Sequence, residues 1–327
     1  MQTKTSAELL SYVNGALEGL SYPTQPEGLY EPVRYVLSLG GKRIRPVLLL
    51  MAYNLYQDNI DKALPAAVGL EIYHNYTLLH DDLMDSASMR RGKPTVHKVW
   101  NPNTAILSGD SMLVLAYQYI IKSAGTCGLN LLDLFTRTAL EIGEGQQYDL
   151  NFETRNDVTE TEYIEMIRLK TSVLLACALK MGAILGESPA KDADKLYRFG
   201  ESLGLAFQLQ DDYLDVYGDP AIFGKKIGGD ILCNKKTYML INAYRLADET
   251  QRAELDRWIA TTDTDKADEK IAAVTALYNE LGIPALCNER ISAYFGEARR
   301  NLSEISAPEP RKQALEGFAL SLLGRQS

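Results

Sequence analysis

The chain has 327 residues, with 34 Lys and Arg against 43 Asp and Glu, a formal charge of −9 and a pI near 5.1. So acidic a chain lacks the basic footprint of a nucleic-acid binder, and its 46% hydrophobic and 24% charged residues are those of a globular protein able to bury a large core. Uninterrupted apolar runs such as Val47 to Ala52 fall far short of the roughly 20 residues of a membrane span, the first residues lack a signal-peptide core, and four scattered cysteines without a Cys-x-x-Cys pair read as reduced thiols; a cytoplasmic protein with no membrane span and no nucleic-acid partner is expected.

Helical periodicity dominates. From Pro65 to Asp85, Val68, Ile72, Tyr76 and Leu79 recur at spacings of three or four. Further helices are predicted over residues 105–123, 131–149, 162–185, 191–217, 237–247, 253–261, 266–281 and 287–305. Asn101-Pro102-Asn103, Gly186-Glu187-Ser188-Pro189, Gly218-Asp219-Pro220 and Gly282-Ile283-Pro284 punctuate them, and Thr159-Glu160-Thr161-Glu162 has the acidic first turn of a helix start. Residues 149–160 and the Gly- and Lys-rich stretch 218–236 read as loops. Strand-like alternation is hard to find and no segment looks like a linker, so one all-α domain spanning 1–327 is expected.

One pattern occurs twice: Asp81-Asp82-Leu83-Met84-Asp85 and Asp211-Asp212-Tyr213-Leu214-Asp215, each at the C-terminal end of an apolar helix. At about 100° per residue, Asp81 and Asp85 share a face with Asp82 to one side, and the second copy behaves alike. Like charges at that spacing repel, and carboxylates at a helix C-terminus oppose its dipole. Bound divalent cations reverse that cost; Mg²⁺ in particular uses one or two carboxylates together with substrate phosphates. Two solvated acidic helix ends are the plain alternative for a single copy, and the repetition tips the balance to metal. Cations follow the same logic. Gly40-Gly41-Lys42-Arg43-Ile44-Arg45-Pro46 joins a glycine turn to three cations at a helix start, Arg90-Arg91-Gly92-Lys93 trails the first aspartates, and Lys225, Lys226, Lys235 and Lys236 trail the second. Two aspartate sets with three basic patches suit two diphosphates, one held through metal and one directly.

Taken together these residues resemble the trans-isoprenyl diphosphate synthases, the polyprenyl synthetase family that includes farnesyl and geranylgeranyl diphosphate synthases, from about Tyr35 to Tyr238. The landmarks Gly-Gly-Lys-Arg-Ile-Arg-Pro, Asp81 to Asp85, Arg90-Arg91-Gly92, Lys170-Thr171, Phe207 to Asp212 and Gly224-Lys225 stand in the family's order. The resemblance implies an all-α bundle around a deep cavity, working as a homodimer on isopentenyl diphosphate and an allylic diphosphate with Mg²⁺. It implies that Lys42 and Arg45, helped by His74 and Arg91, bind isopentenyl diphosphate. Asp81 and Asp85, with Asp211 opposite, would hold Mg²⁺ against the allylic diphosphate, supported by Asp82, Asp212 and Asp215. Arg90, Lys170 and Lys225 would neutralise that diphosphate, Lys235 is a further phosphate candidate, and Thr171 and Gln208 would sit near the developing cation. His74 alone reads as a hydrogen-bonded core histidine. Lys170 lies in an apolar helix, where a buried lysine needs a partner, and a phosphate is expected to be that partner. Tyr76, five residues before Asp81, is a bulky stop for the growing chain, while the non-aromatic Thr77 leaves room, which favours geranylgeranyl over farnesyl diphosphate. A terpene cyclase of the same fold is the nearest rival, but it has no need of Lys42, Arg45 and Arg91. An inactive regulatory subunit would be expected to have lost aspartates. The C-terminal residues lack a basic tail that would contribute to isopentenyl diphosphate binding.

Overall fold

The computed structural model describes residues 3–123, 125–219 and 227–324. Helix accounts for 78% of it, and the one sheet among the described residues is a ribbon of two-residue strands, so the fold is all-α as expected. Of the sixteen α-helices of the described residues, twelve lie wholly within one of two compact units and four contribute residues to both.

The first unit comprises the chain up to Thr136, with Cys177–Leu196 and Ile305–Leu315. In it, helices α1 (Ser6–Glu18), α2 (Glu27–Ser38), α3 (Ile44–Asn54), α4 (Leu64–Met84), α5 (Val96–Val99) and α6 (Pro102–Ser123) follow in order. The predicted 65–85 helix is α4, which ends on Asp85 as its C-cap. Pro at its second position suits a helix start, where the missing N–H is no loss. The helix is buried on most sides through Ile72 and Tyr73 and packs on α3 and α6. Between α4 and α5, strands β1 (Met89–Arg90) and β2 (Lys93–Pro94) pair antiparallel. The corner residues Arg91 and Gly92 have φ of 52° and 75°. Two successive positive φ values make the tight hairpin turn whose twist suits its strands. At two residues a strand this ribbon is too short for alternation to betray it. Taken as a whole, α6 is long and apolar enough to cross a membrane, although polar residues such as Ser108 and Asp110 break its apolar runs. Only 33% of its most apolar window is buried, and Leu107, Val114 and Ile121 stand outward.

The second unit comprises Arg137–Ala176, Tyr197–Glu304 and the chain from Glu316. Its core joins Phe152, Tyr163, Leu209, Met239, Tyr278 and Cys287. Helix α7 (Gly128–Glu153) runs four residues past its predicted end, and α8 (Glu160–Ile167) opens with a reciprocal cap between Thr159 and Glu162. The single helix predicted over 162–185 is instead three pieces: α8, a π-helical turn at Arg168–Ser172 and α9 (Val173–Leu185). The widened turn is accommodated by two glycines. A Cβ on Gly145 of α7 would lie 2.8 Å from the backbone of Leu169 and Lys170, and one on Gly204 of α10 (Ala190–Tyr217) would lie 2.5 Å from Ser172 Cα. Beyond α10 come α11 (Gly229–Leu232), α12 (Tyr238–Leu246), α13 (Glu249–Ile259), α14 (Ala267–Glu280), α15 (Ile283–Ser303) and α16 (Glu309–Leu323). A short helix therefore interrupts the loop expected over 218–236.

Candidate active site

In the first unit the glycine turn and the end of α4 carry most of the expected groups. Gly40, Gly41 and Arg43 all have positive φ, 77°, 132° and 47°, and α3 starts immediately after them. The Arg91 guanidinium lies over Gly41, where a Cβ would come within 2.6 Å of it, and donates to the Gly40 carbonyl. Only a residue without a side chain admits that approach. Arg45 Nη1 meets His74 Nε2 at 3.2 Å. A guanidinium only donates, so this contact assigns Nε2 as the acceptor and places the imidazole proton on Nδ1. Burial, with Arg45, Arg91, Arg90 and Arg43 around it, holds His74 well below its ordinary range, so it stays neutral. Arg45, His74 and Arg91 therefore belong to one cation-rich neighbourhood around a neutral imidazole, and Lys42 neighbours Gly41 and Arg43 in the sequence of the turn.

At the end of α4, Asp81 and Asp85 follow the helical register, with Asp85 N–H donating to Asp81 C=O at 2.9 Å. Asp82 turns inward, only 5% exposed. Both its oxygens accept from Arg90: Nε at 3.0 and 3.1 Å, Nη2 at 2.6 Å. Burial raises the Asp82 pKa against the pull of Arg90. Arg90 also stands 3.7 Å from Asp81 Oδ2. Tyr76 is half-buried, its ring 5.5 Å from Tyr73 and 4.8 Å from His80, and the Thr77 hydroxyl donates back to His74 C=O.

The second unit repeats the inward turn of the middle aspartate. Asp212 is 2% exposed and accepts from Tyr163 Oη and, at 3.0 Å, from Gln208 Nε2. Burial pushes its carboxyl up to about 7, with Lys235 pulling the other way. Gln208 Oε1 in turn accepts from the Thr171 hydroxyl at 3.2 Å, which links the π turn to α10. Asp215 joins the end of α10 to α11: its Oδ2 accepts from Asp230 N–H at 2.9 Å, and its carbonyl accepts from Gly228 N–H at 2.6 Å. Lys235 Nζ stands 3.9 Å from Asp230. Lys170 departs from expectation: its side chain is 27% exposed and its Nζ is bound to Asp149 Oδ2 at 2.6 Å. The widened turn brings it beside that carboxylate, so a protein partner already answers the need for a counter-charge. Lys225 and its neighbour Lys226 lie outside the described residues, as do the last three residues of the chain.

Sequence reasoning missed Glu71, Asp149 and Tyr163, which hold Arg43, Lys170 and Asp212. Glu71 left a readable signal, because a carboxylate in the run Val68-Gly69-Leu70-Glu71-Ile72-Tyr73 must be buried and needs a cation. Asp149 and Tyr163 left none. Among the described residues no three acidic, His or Cys side chains gather into a cage for a metal ion. An ion that arrives with a diphosphate requires only one or two carboxylates, so the helix-end pair Asp81 and Asp85, and likewise Asp211, fit Mg²⁺ in donor chemistry.

A family model described as polyprenyl synthetase matches residues 26–277. A geranylgeranyl diphosphate synthase of Methanosarcina mazei is 42% identical over 236 residues, covering 72% of this chain and 73% of its own. A crystal structure of a geranylgeranyl pyrophosphate synthase superposes with a TM-score of 0.94 at 44% identity, covering 99% and 100% of the two chains. The Corynebacterium glutamicum geranylgeranyl pyrophosphate synthase, crystallised with isoprenyl diphosphate and magnesium, gives 0.84 at 27% identity, covering 98% and 97%. Both aspartate clusters and every cation patch described above fall within the stretch that the family model matches, and the chain belongs to the polyprenyl synthetase family, a trans-prenyltransferase.

Proposed function

We propose that this prenyltransferase condenses isopentenyl diphosphate with an allylic diphosphate, in the presence of Mg²⁺, and releases geranylgeranyl diphosphate. The observation that carries the reading is the Arg45–His74 contact beside the Gly40–Gly41 turn and Arg91. A cation cradle of that kind serves a second diphosphate, which coupling requires and a cyclase does not.

In this reading Lys42, Arg45 and Arg91 bind the isopentenyl diphosphate, and neutral His74 orients Arg45. Asp81, Asp85 and Asp211 would hold Mg²⁺, which when bound would draw off the charge of the departing diphosphate. Asp82 keeps Arg90 in place for the same leaving group, and Lys170 and Lys235 add positive charge there. Lys225 is retained for that role on the family resemblance alone. As the allylic C–O bond breaks, positive charge would develop near Thr171 Oγ1 and Gln208, whose linked oxygens offer lone pairs to stabilise it. The isopentenyl double bond then forms the new C–C bond, and a proton is lost, for which the released diphosphate is the acceptor. No covalent nucleophile from the protein is needed; positioning and fixed charge supply the catalysis.

One catalytic domain over residues 1–327 is the reading that the unbroken family match over residues 26–277 supports. The outward apolar residues of α6 (Leu107, Val114 and Ile121) support a homodimer with this face between copies rather than in a bilayer. Four free cysteines fit a cytoplasmic setting. The test is incubation with isopentenyl diphosphate, each allylic diphosphate in turn and Mg²⁺, followed by product chromatography. A C20 product is expected; a C15 end product makes the protein a farnesyl diphosphate synthase, and cyclised hydrocarbon without chain growth overturns the reading. Asp81→Ala and Asp211→Ala should each remove most turnover while leaving the fold intact.

A further inference from the structure

Beneath the glycine turn lies a buried ion pair to which neither the family match nor the proposed reaction gives a role. Arg43 is 5% exposed, and its side chain points inward although the cations at 42 and 45 flank it in sequence. Its Nη1 donates to Glu71 Oε1 at 2.7 Å and its Nη2 to the Leu37 carbonyl at 2.8 Å, and its Nε stands 3.5 Å from Asn14 Oδ1. Glu71 is 1% exposed, and the same Oε1 accepts from Asn75 Nδ2 at 2.9 Å. Its other oxygen, Oε2, is buried and has no hydrogen-bond partner among the described residues.

Stability alone is a poor reason to keep this pair. Two charges taken out of water recover little beyond what a well-packed apolar pair supplies, and an oxygen left without a donor subtracts further. What such a pair gives is position. Arg43 sits in the left-handed region at φ 47°, a conformation that a non-glycine residue keeps only when its surroundings fix it. The surroundings are Glu71, Leu37 and Asn14. Glu71 and His74 are three residues apart on one side of α4, and Arg43 and Arg45 are two apart at the start of α3. The contacts Arg43–Glu71 and Arg45–His74 thus form two rungs between the helices. The lower rung is sealed and the upper one carries the cradle. The charge of Glu71 also acts on Arg91.

We propose that Glu71 and Arg43 are positioning residues for isopentenyl diphosphate: their buried pair locks the left-handed turn, and so sets where Lys42 and Arg45 present their cations. The inference rests on the assignment of Lys42, Arg45 and His74 to that substrate.

The test replaces both charges at once, in the double variant Arg43→Met with Glu71→Leu, because joint removal of a buried pair leaves no orphan charge and is well tolerated. The KM for isopentenyl diphosphate should rise at least tenfold, while the KM for the allylic diphosphate stays within twofold, kcat at saturation within threefold and the thermal midpoint at or above that of the parent. A merely structural pair would change the midpoint or the yield of folded protein and leave the two KM values together. Lys42→Ala is measured alongside. If Lys42→Ala raises the isopentenyl KM and the folded double variant does not, the positioning role is overturned. If neither does, the substrate assignment falls and the inference with it. Should the double variant fail to fold, Glu71→Gln, which keeps the shape and loses the charge, is judged by the same criterion.

Discussion

Asp82 gives both of its carboxylate oxygens to Arg90, at 2.6 to 3.1 Å, and is itself only 5% exposed. The equivalent residue of the second cluster, Asp212, is likewise turned inward, onto Tyr163 and Gln208. Helix geometry accounts for both. In Asp-Asp-x-x-Asp the first and last residues lie about 40° apart around the axis, while the middle one is rotated by about 100° onto the packed side. The five-residue pattern therefore has two parts: its ends share the face that the proposed reaction gives to the metal, and its middle organises the protein behind them.

Asp82→Asn tests the first of these inner pairs. The amide keeps the shape but leaves the Arg90 guanidinium short of its counter-charge in a mostly buried setting. The variant should lose roughly 1–3 kcal/mol of stability in urea denaturation. Its turnover should fall at least tenfold as Arg90 loses its anchor. A parental midpoint and rate would show that Arg90 is held by something else.

Asp212 makes a prediction about pH. Its carboxyl is pushed up to about 7, chiefly by burial, whereas in an unfolded chain it titrates near the ordinary value of 3.8. Between those values the folded chain holds a proton that the unfolded chain has released. This contribution to stability is fully present below about pH 4 and lost as pH rises through about 7. Without added metal, thermal or urea midpoints of the parent should fall relative to Asp212→Asn between pH 4.5 and 7.5, by at most on the order of 4 kcal/mol. Parallel curves for the two proteins would mean that Asp212 is already ionised when folded.

Much of this arrangement was legible in the sequence, because period 3.6 survives in long amphipathic helices and because repeated aspartates at a helix end are locally unfavourable and so call for a reason. Helix α4 and its cap at Asp85 follow from that logic. What was hidden depends on tertiary approach. The π turn at Arg168–Ser172 exists because α7 and α10 each offer a glycine where it bulges, and the local sequence Arg-Leu-Lys-Thr-Ser reads as ordinary helix. Lys170 in an apolar helix calls for a counter-charge, but Asp149 lies 21 residues away on another helix, beyond the reach of any local pattern. The hairpin at Met89–Pro94 is set by the positive φ of Arg91, which an arginine does not advertise.

The π turn can be tested through Gly145. An added Cβ would meet backbone atoms of Leu169 and Lys170 at 2.8 Å, and backbone cannot rotate away. Gly145→Ala should cost about 1–3 kcal/mol of stability. It should also lower kcat, because the turn carries Lys170 and Thr171. Gly143→Ala is the control on the same helix: nothing lies within 4 Å of its Cβ, so the better helix propensity of alanine should leave stability equal or raise it by about 0.5–1 kcal/mol. Equal effects at the two positions would refute the close-packing account.

Product length is the most local prediction. Five residues at about 1.5 Å rise put Tyr76 some 7.5 Å along α4 from Asp81, on the side from which Tyr73 also projects. The Tyr76 ring lies against Tyr73 and His80, and Tyr73 is backed edge-on by Phe135 at 5.0 Å, with Tyr117 against Phe135 at 4.9 Å. Thr77 folds its hydroxyl back onto His74 C=O and adds no bulk. Tyr76→Ala removes the first ring and leaves the backed one, so products should lengthen by one or a few isoprene units rather than without limit. The measurement is chromatography of extracted products made from labelled isopentenyl diphosphate, parent against variant. Tyr73→Ala is the less useful variant: that residue is 2% exposed, and truncating it should cost about 3–5 kcal/mol before product length can be read. An unchanged product from a folded, active Tyr76→Ala would move the floor off α4, with Ser111 and Met112 of α6 the next positions to enlarge or trim.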